Sequence, residues 1–331
     1  MQKRLSHFFR KIIKNKTCWI ILGFFFFLWL NNASLFADRN ENKITIIAHG
    51  ALGQTYNLED VKWNTNTASI IHKPQHFYIE NTLSSIQAAF DYGADIVEFD
   101  IRLTKDKQLA VFHDYTLEYR TDGKGSVSDY TMDELRLLDV GFGYTADSGK
   151  TFPLKGKGVG LMPSIGDVFR TFPDRKFLVH IKDGGDEIGP VLLHFFKTLS
   201  DSTINHISVY GNDPALDLLR NHYPEMKILS KSKLLGAFTR YLLIGWTGVI
   251  PNSIRNMEIH VPLKYAELFW GWPDKFLQRM DKANTRVVLV QYVNGWSEGF
   301  DSENDLTKLP EGYTGGIWTN RIDVIGPLLK K

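Results

Sequence analysis

Short runs of β-branched and apolar residues recur along this chain with helix-patterned stretches between them, and that alternation restricts the fold more than any other feature. ITIIAH (44–49), ADIVEFDIRL (94–103), QLAVFHD (108–114), KFLVHIK (176–182) and HISVYG (206–211) read as strands. So do MKILS (226–230), MEIHVP (257–262), RVVLVQYV (286–293) and GGIWT (315–319). Between them, NTLSSIQAAFDYGA (81–94) has helical spacing and a glycine stop, and TMDELRLLD (131–139) has a threonine cap with a glutamate three residues on. Residues 164–172, 189–199 and 322–330 also read as helices. Strands alternating with helices form parallel βαβ units. Eight or nine candidate strands approach the eight of a closed barrel, so the expected fold is α/β, a TIM-like (β/α)8 barrel; an open doubly wound sheet would leave the same count. One barrel accommodates the 331 residues. The expected division is a signal or anchor at 1–37, a polar linker at 38–43 and the barrel at 44–331, with long loop insertions at 50–79 and, glycine-rich, at 141–160.

The N-terminus stands apart. Lys3, Arg4, Arg10, Lys11, Lys14 and Lys16 precede an unbroken apolar run from Cys18 to Leu30. A basic region followed by 13 apolar residues reads as a secretory signal, with Ala33 and Ala37 as small residues near a cleavage point. Retained, the same segment anchors the chain with its basic end in the cytoplasm. Either way the barrel is expected outside the cytoplasm, periplasmic or otherwise exported, with membrane contact through this segment if it is uncleaved. The six bases also explain the net charge of +2, because the remaining 33 bases meet all 37 acids for a balance of −4. No basic patch remains for nucleic acid. Cys18 is the single cysteine, which leaves the barrel without a disulfide, thiolate zinc site or thiol nucleophile.

Ionisable residues gather at the ends of the strands. In a strand, residues i and i+2 share a face, so Glu98 and Asp100 point one way and Val97, Phe99 and Ile101 the other. Two adjacent acids are costly to bury unless a cation neutralises them, and oxygen ligands suit Ca²⁺ or Mg²⁺; a solvated strand end or a salt bridge is the plainer alternative. His180 and Lys182 share a face in the same manner, an arrangement suited to an anion. His49 and His113 close two further strands. In a barrel the C-terminal strand ends share one rim, where active sites lie. Two motifs fail. GWSEG (295–299) fits a nucleophile elbow, but no histidine follows His260. Residues 143–151 resemble a P-loop with one residue too many. Both read as loops.

AHG (48–50), IENTLSSIQAAFDYGAD (79–95), EFDIRLTKD (98–106), VFHDYTLEYRTDGKGSVSDYTMDEL (111–135) and HIKD (180–183) follow one another in order. Together they resemble the glycerophosphodiester phosphodiesterases, whose pattern runs His-Arg-Gly, Glu-Asn-Thr, Glu-x-Asp, His-Asp and Glu-x-Lys. GGIWTNRID (315–323) resembles that family's last strand and turn. The resemblance implies a TIM-like barrel, one divalent cation, commonly Ca²⁺ or Mg²⁺, and hydrolysis of a small-molecule or lipid-derived glycerophosphodiester to glycerol 3-phosphate and an alcohol. By motif position it makes His49 and His113 the general acid/base pair and Glu98 and Asp100 metal ligands. Lys182 becomes a phosphate contact and Glu80 a supporting residue.

Three departures stand out. Gly50 replaces the motif arginine, with Lys62, His72 and Lys73 in the following loop as candidate substitutes. His180 stands where a third carboxylate ligand is usual, and an imidazole there suits Mn²⁺ or Zn²⁺ better than Ca²⁺. Asn320 replaces an aspartate. Alternative expectations are a phospholipase D-like enzyme acting on lysophospholipids or sphingolipids, a non-catalytic ligand-binding barrel, and a glycosidase using Glu80 and Glu98.

Overall fold

The computed structural model describes residues 16–37, 43–59, 61–62, 64–182, 185–293 and 296–330. Among the described residues ten strands are present: β1 Thr45–Ala48, β2 Ile96–Leu103, β3 Leu109–Val111, β4 Lys176–Ile181, β5 Ile207–Gly211, β6 Lys227–Leu229, β7 Glu258–Pro262, β8 Arg286–Val293, β9 Trp296–Glu298 and β10 Gly316–Thr319. Eight of them run parallel in the order β6-β5-β4-β2-β1-β10-β8-β7, and a parallel bridge from Ile228 to Met257 brings the two ends together into a barrel.

Alternation along each strand sorts the side chains. Ile47, Ile96, Leu178, Tyr210, Leu229, Val288, Val290 and Trp318 fill the barrel interior. The opposite faces carry Val97, Phe99, Phe177 and Val179 to the helices outside. There Phe99, Phe169 and Phe177 meet edge to face with centroids 5.3–6.3 Å apart. Each buried ring of this kind contributes about 1.5–3 kcal/mol through area removed from water. The helices start where their caps allow. Thr82 caps Leu83–Asp91, and Gly93 (φ +100°) ends that turn. The Thr131/Glu134 capping box opens Met132–Arg136, and Ser164/Asp167 opens Ile165–Thr171.

Two strands depart from expectation. β3 is not a barrel strand: it pairs antiparallel with β2, Ile101 opposite Val111, because β2 overshoots the rim and turns back at residues 104–108. Its end still returns to the rim, where the amide of Phe112 donates to the carbonyl of Asp100. β9 likewise pairs antiparallel with β8, so Trp296–Glu298 of the GWSEG segment are strand rather than loop, and Gly295 lies outside the described residues. The insertions are not bare surface either. Ile71, Ile79, Leu117, Tyr144 and Leu154 are buried together in a second core beside β3.

The N-terminal apolar run forms the helix Lys16–Asn32, no residue of which is buried. It joins the barrel at its C-terminal end. The side-chain amides of Asn31 and Asn32 donate to the Trp246 carbonyl, and Arg279 donates to the Asn31 carbonyl and to Asn32 Oδ1. Among the described residues, no helix is long and apolar enough to cross a membrane. Five of the six N-terminal bases, and most of the linker, lie outside the described residues.

Candidate active site

β2 and β4 lie side by side with Asp100 opposite His180, which sets the spacing of the central groups. Glu98 and Asp100 both face inward and are 0 % and 1 % exposed, so the reading as a solvated strand end does not hold. His180 Nδ1 lies 2.8 Å from Asp100 Oδ1 and 3.8 Å from Glu98 Oε1. One ligand atom from each of Glu98, Asp100 and His180 falls within 4.8 Å of the other two, close enough to share a metal ion.

Each carboxylate is held in place. Gly50 and Ala51 occupy consecutive left-handed conformations (φ +60° and +66°). That sharp turn aims the Gly50 amide at Glu98 Oε2 (2.7 Å), and the Ala51 amide donates to the Glu98 carbonyl. Glycine tolerates such a φ at no steric cost. Tyr210 on β5 donates its hydroxyl to Glu98 Oε1 at 2.6 Å. Asn81, itself left-handed (φ +60°), donates from Nδ2 to Asp100 Oδ2 and accepts the Asp100 amide on Oδ1, both at 3.0 Å.

Burial and the neighbouring Asp100 push Glu98 up to about 7. Burial acts the same way on Asp100, but Lys182, His113 and His180 outweigh it and hold Asp100 well below the usual carboxylate range. Burial lowers His180 to about 3 against the pull of Asp100, so its imidazole is neutral. A neutral imidazole beside two buried acids is a donor set that fits a divalent cation.

The other two histidines stand at either end of this cluster. His49 Nε2 is 4.0 Å from Glu98 Oε2. His49 Nδ1 meets Asn320 Oδ1 at 2.7 Å, while Asn320 Nδ2 donates to Asp301 Oδ2 and the Asn320 amide to Asp301 Oδ1. A carboxylate only accepts, so the Asn320 amide must turn its oxygen to His49. The proton therefore sits on Nδ1, and Nε2 is left to act toward the cluster. His113 Nδ1 donates to Asp114 at 2.6 Å, and its Nε2 accepts from Lys182 Nζ at 3.1 Å. Lys182 Nζ is 3.7 Å from Asp100 Oδ1. Arg102 donates to the His113 carbonyl and fixes the backbone there.

The seven side chains given roles by motif position, His49, Glu80, Glu98, Asp100, His113, His180 and Lys182, all fall at or next to this rim. Glu80 is the outermost: its Oε1 lies 2.6 Å from Arg120, whose Nε is 3.3 Å from Asp114 Oδ2. The chain Glu80–Arg120–Asp114 thus ends on His113. Lys62, His72 and Lys73 are exposed, and His72 is bonded to Thr55 instead of to the site. A cavity of about 450 Å³ opens at the other end of the barrel, beside Thr45, Lys227, Arg286 and Gly316, and contains none of the rim residues.

Sequence reasoning gave no role to Asn81, Asp114, Arg120, Tyr210 or Asp301. Strand alternation could have placed Tyr210 inward, since it shares a face with Ser208 opposite Val209. Nothing local announces that Arg120 reaches back to Glu80.

The model of the glycerophosphoryl diester phosphodiesterase family matches residues 73–192. A glycerophosphodiester phosphodiesterase of Caldanaerobacter subterraneus subsp. tengcongensis is 38% identical over 103 residues, 31% of this chain and 39% of that protein. The human lysophospholipase D GDPD1 is 28% identical over 193 residues, 56% of this chain and 57% of its own length. The chain therefore spans between about two fifths and three fifths of these relatives. Among solved structures, an Oleispira antarctica phosphodiesterase in complex with the product sn-glycerol-3-phosphate superposes with a TM-score of 0.55 at 17% identity. That alignment covers 86% of this chain and 97% of the other. The barrel fold is thus shared with the Oleispira phosphodiesterase, and residues 73–192, which carry the rim residues Glu80, Glu98, Asp100, His113, His180 and Lys182, match the model of the glycerophosphoryl diester phosphodiesterase family.

Proposed function

We propose that this chain hydrolyses glycerophosphodiesters to glycerol 3-phosphate and an alcohol, with one divalent cation held by Glu98, Asp100 and His180. The observation that carries this reading is the placement of two imidazoles about one acidic cluster, His49 beside Glu98 and His113 beside Lys182 and Asp100. The cation supplies charge neutralisation to the phosphoryl oxygens. His49 and His113 each present Nε2, so one takes the proton of the attacking hydroxyl and the other returns a proton to the leaving alkoxide. Asn320 and Asp114 keep both rings in the required tautomer. Lys182 offsets the negative charge on the phosphate. With an imidazole in place of a third carboxylate, the site loses one negative ligand, and we place Mn²⁺ or Zn²⁺ beside Ca²⁺ and Mg²⁺ as candidate ions.

Likeness to the human lysophospholipase D over 193 residues favours a second substrate class, lysophospholipids, cleaved by the same groups. The glycosidase reading loses its acid, because Glu80 is committed to Arg120. We also propose that residues 1–37 export the barrel, as signal or tether; six bases ahead of an apolar run, and a helix that buries none of its side chains, support this.

The test is release of glycerol 3-phosphate from glycerophosphocholine, and of choline from lysophosphatidylcholine, with Ca²⁺, Mg²⁺, Mn²⁺ or Zn²⁺ in turn. His113→Ala is expected to lower turnover by about 10²-fold or more. Absence of turnover by the parent chain with every cation and both substrates would favour a binding barrel and overturn the reading.

A further inference from the structure

With Gly50 in the arginine position, the rim lacks a cation that a bridging phosphate would use, and neither Lys62, His72 nor Lys73 makes up the loss. Another cation stands closer. β6 ends at Leu229, whose side chain lies in the interior layer with Leu178 and Tyr210. Register pairs Leu229 with Tyr210 and Tyr210 with His180. Lys182 follows His180 by two residues, and Lys231 follows Leu229 by two. Ser230 between them is still extended (φ −99°, ψ 114°), so the alternation of faces carries through to Lys231. Both lysines therefore rise one step above the same interior layer, over the barrel mouth, with only β5 between their strands.

Lys231 occupies a place that ordinary stability does not explain. It opens the helix Lys231–Ile244, and the positive end of a helix dipole disfavours a cation. Among the described residues, no hydrogen bond or ion pair engages its ammonium, whereas Lys233 in the same turn is paired with Asp217. Burial lowers its pKa, Lys182 lowers it further and Glu98 acts in opposition. Its ammonium, crowded by the surrounding chain yet with part of the side chain still reached by solvent, is thus within electrostatic reach of both Lys182 and Glu98. An unpaired ammonium on the same rim as Lys182 is free to meet an anion bound there.

We propose that Lys231 is a second phosphate-binding residue, forming with Lys182 a two-lysine clamp that takes over the task of the arginine absent at Gly50. The assignment rests on the phosphodiesterase reading above and deepens it.

The experiment compares the full-length cation-loaded chain with Lys231→Gln, Lys231→Arg and Lys233→Gln. Calorimetry with inorganic phosphate and sn-glycerol 3-phosphate gives binding, and glycerophosphocholine turnover gives kcat and KM. Loss of one charge-assisted contact is expected to weaken anion binding and kcat/KM by about 10–100-fold in Lys231→Gln. Lys231→Arg, which keeps the charge and the reach, is expected to stay within a few fold of the parent, and Lys233→Gln to match it. Because Lys231 has no structural partner, thermal unfolding of Lys231→Gln should coincide with that of the parent. Parent-like phosphate binding and turnover in Lys231→Gln would overturn the clamp, as would a parent chain that binds neither anion. Phosphate binding that depends on Lys231 in a chain with no diesterase turnover would support the clamp and overturn the hydrolase reading instead.

Discussion

Replacing Arg120 by methionine removes the one positive charge between two carboxylates, and the structure fixes what that should cost. Arg120 is 4 % exposed and lies 2.6 Å from Glu80 Oε1 and 3.3 Å from Asp114 Oδ2; its Nη2 also donates to Thr67 Oγ1 at 3.1 Å. Burial works against its charge, but Asp114 and Glu80 outweigh it and raise its pKa well above the ordinary arginine value. Asp114 shows the reciprocal effect: burial pushes it up, and Arg120 first, then His113, hold it below the carboxylate range. Breaking a buried pair by removing one partner costs about 3–5 kcal/mol, because the stranded charge remains in a place without water. Against a total stability of about 5–15 kcal/mol that is at least about a fifth of the whole. For a domain of this size it corresponds to a fall in Tm on the order of 10 °C.

Urea unfolding followed by far-UV circular dichroism measures the loss directly, as a lower midpoint at unchanged slope. The double variant Arg120→Met/Glu80→Gln should recover part of it, since one of the two stranded carboxylates is then neutral. Turnover should fall as well, because Asp114 loses the charge that keeps it ionised as the acceptor of the His113 Nδ1 proton. A single variant that unfolds within about 1 kcal/mol of the parent would refute the argument, because such a result is typical of an exposed pair.

Two further outcomes follow from the rim. Asn320→Leu removes the acceptor that fixes the His49 tautomer, and kcat is expected to fall about 10-fold or more with little change in KM, read from steady-state kinetics; an unchanged kcat would leave Asn320 with packing alone. For the metal, Glu98 is raised by burial and by Asp100 to about 7. The native metal-free chain therefore holds this proton in a range where the unfolded chain has lost it. The resulting stabilisation is full below the unfolded carboxylate value near 4.5 and is lost as pH rises through about 7. A cation must expel the same proton, so Mn²⁺ or Ca²⁺ affinity should fall by up to about tenfold per pH unit below 7, with buffer-dependent heats in calorimetry. Affinity that stays flat from pH 5 to 8 would contradict Glu98 as a ligand.

The period-two pattern of ADIVEFDIRL sorted acids from apolar residues on β2, and the same rule placed His180 and Lys182 on β4. Those two strands are hydrogen-bonded neighbours, so the centre of the site was legible in the sequence. The direction of β3 was not. Its reversal runs through TKDKQ, where the left-handed position is taken by Lys107 (φ +58°) and no glycine or asparagine marks the turn. β9 was hidden by the resemblance of residues 295–299 to a nucleophile elbow. The arginine that orders the His113 side is forty residues from its partner Glu80, and only folding the 50–79 segment against residues 117–162 brings them together. Long-range ion pairs of this sort leave no periodic trace. The aspartate missing at position 320 illustrates the same limit: Asp301, nineteen residues upstream, supplies a carboxylate one bond further back and acts on His49 through the Asn320 amide.

Charge balance joins these features. Glu98 and Asp100 are two buried acids, and a divalent ion shared with neutral His180, as proposed above, would cancel them without drawing on the lysines. On the proposed clamp, Lys182 and Lys231 would then offer the phosphate a charge of two. A phosphodiester carries one negative charge and a released phosphomonoester nearly two at neutral pH. The clamp is thus better matched to the group that forms than to the group that enters, and the difference accrues as negative charge builds on the transferred phosphoryl group. An arginine in the first turn after β1 would have placed that charge beside His49; a lysine at the end of β6 places it across the mouth, on the side of β4 and His180. On the proposed clamp, substituting one for the other would preserve the sum of charges at the rim while changing the direction from which the phosphate is held.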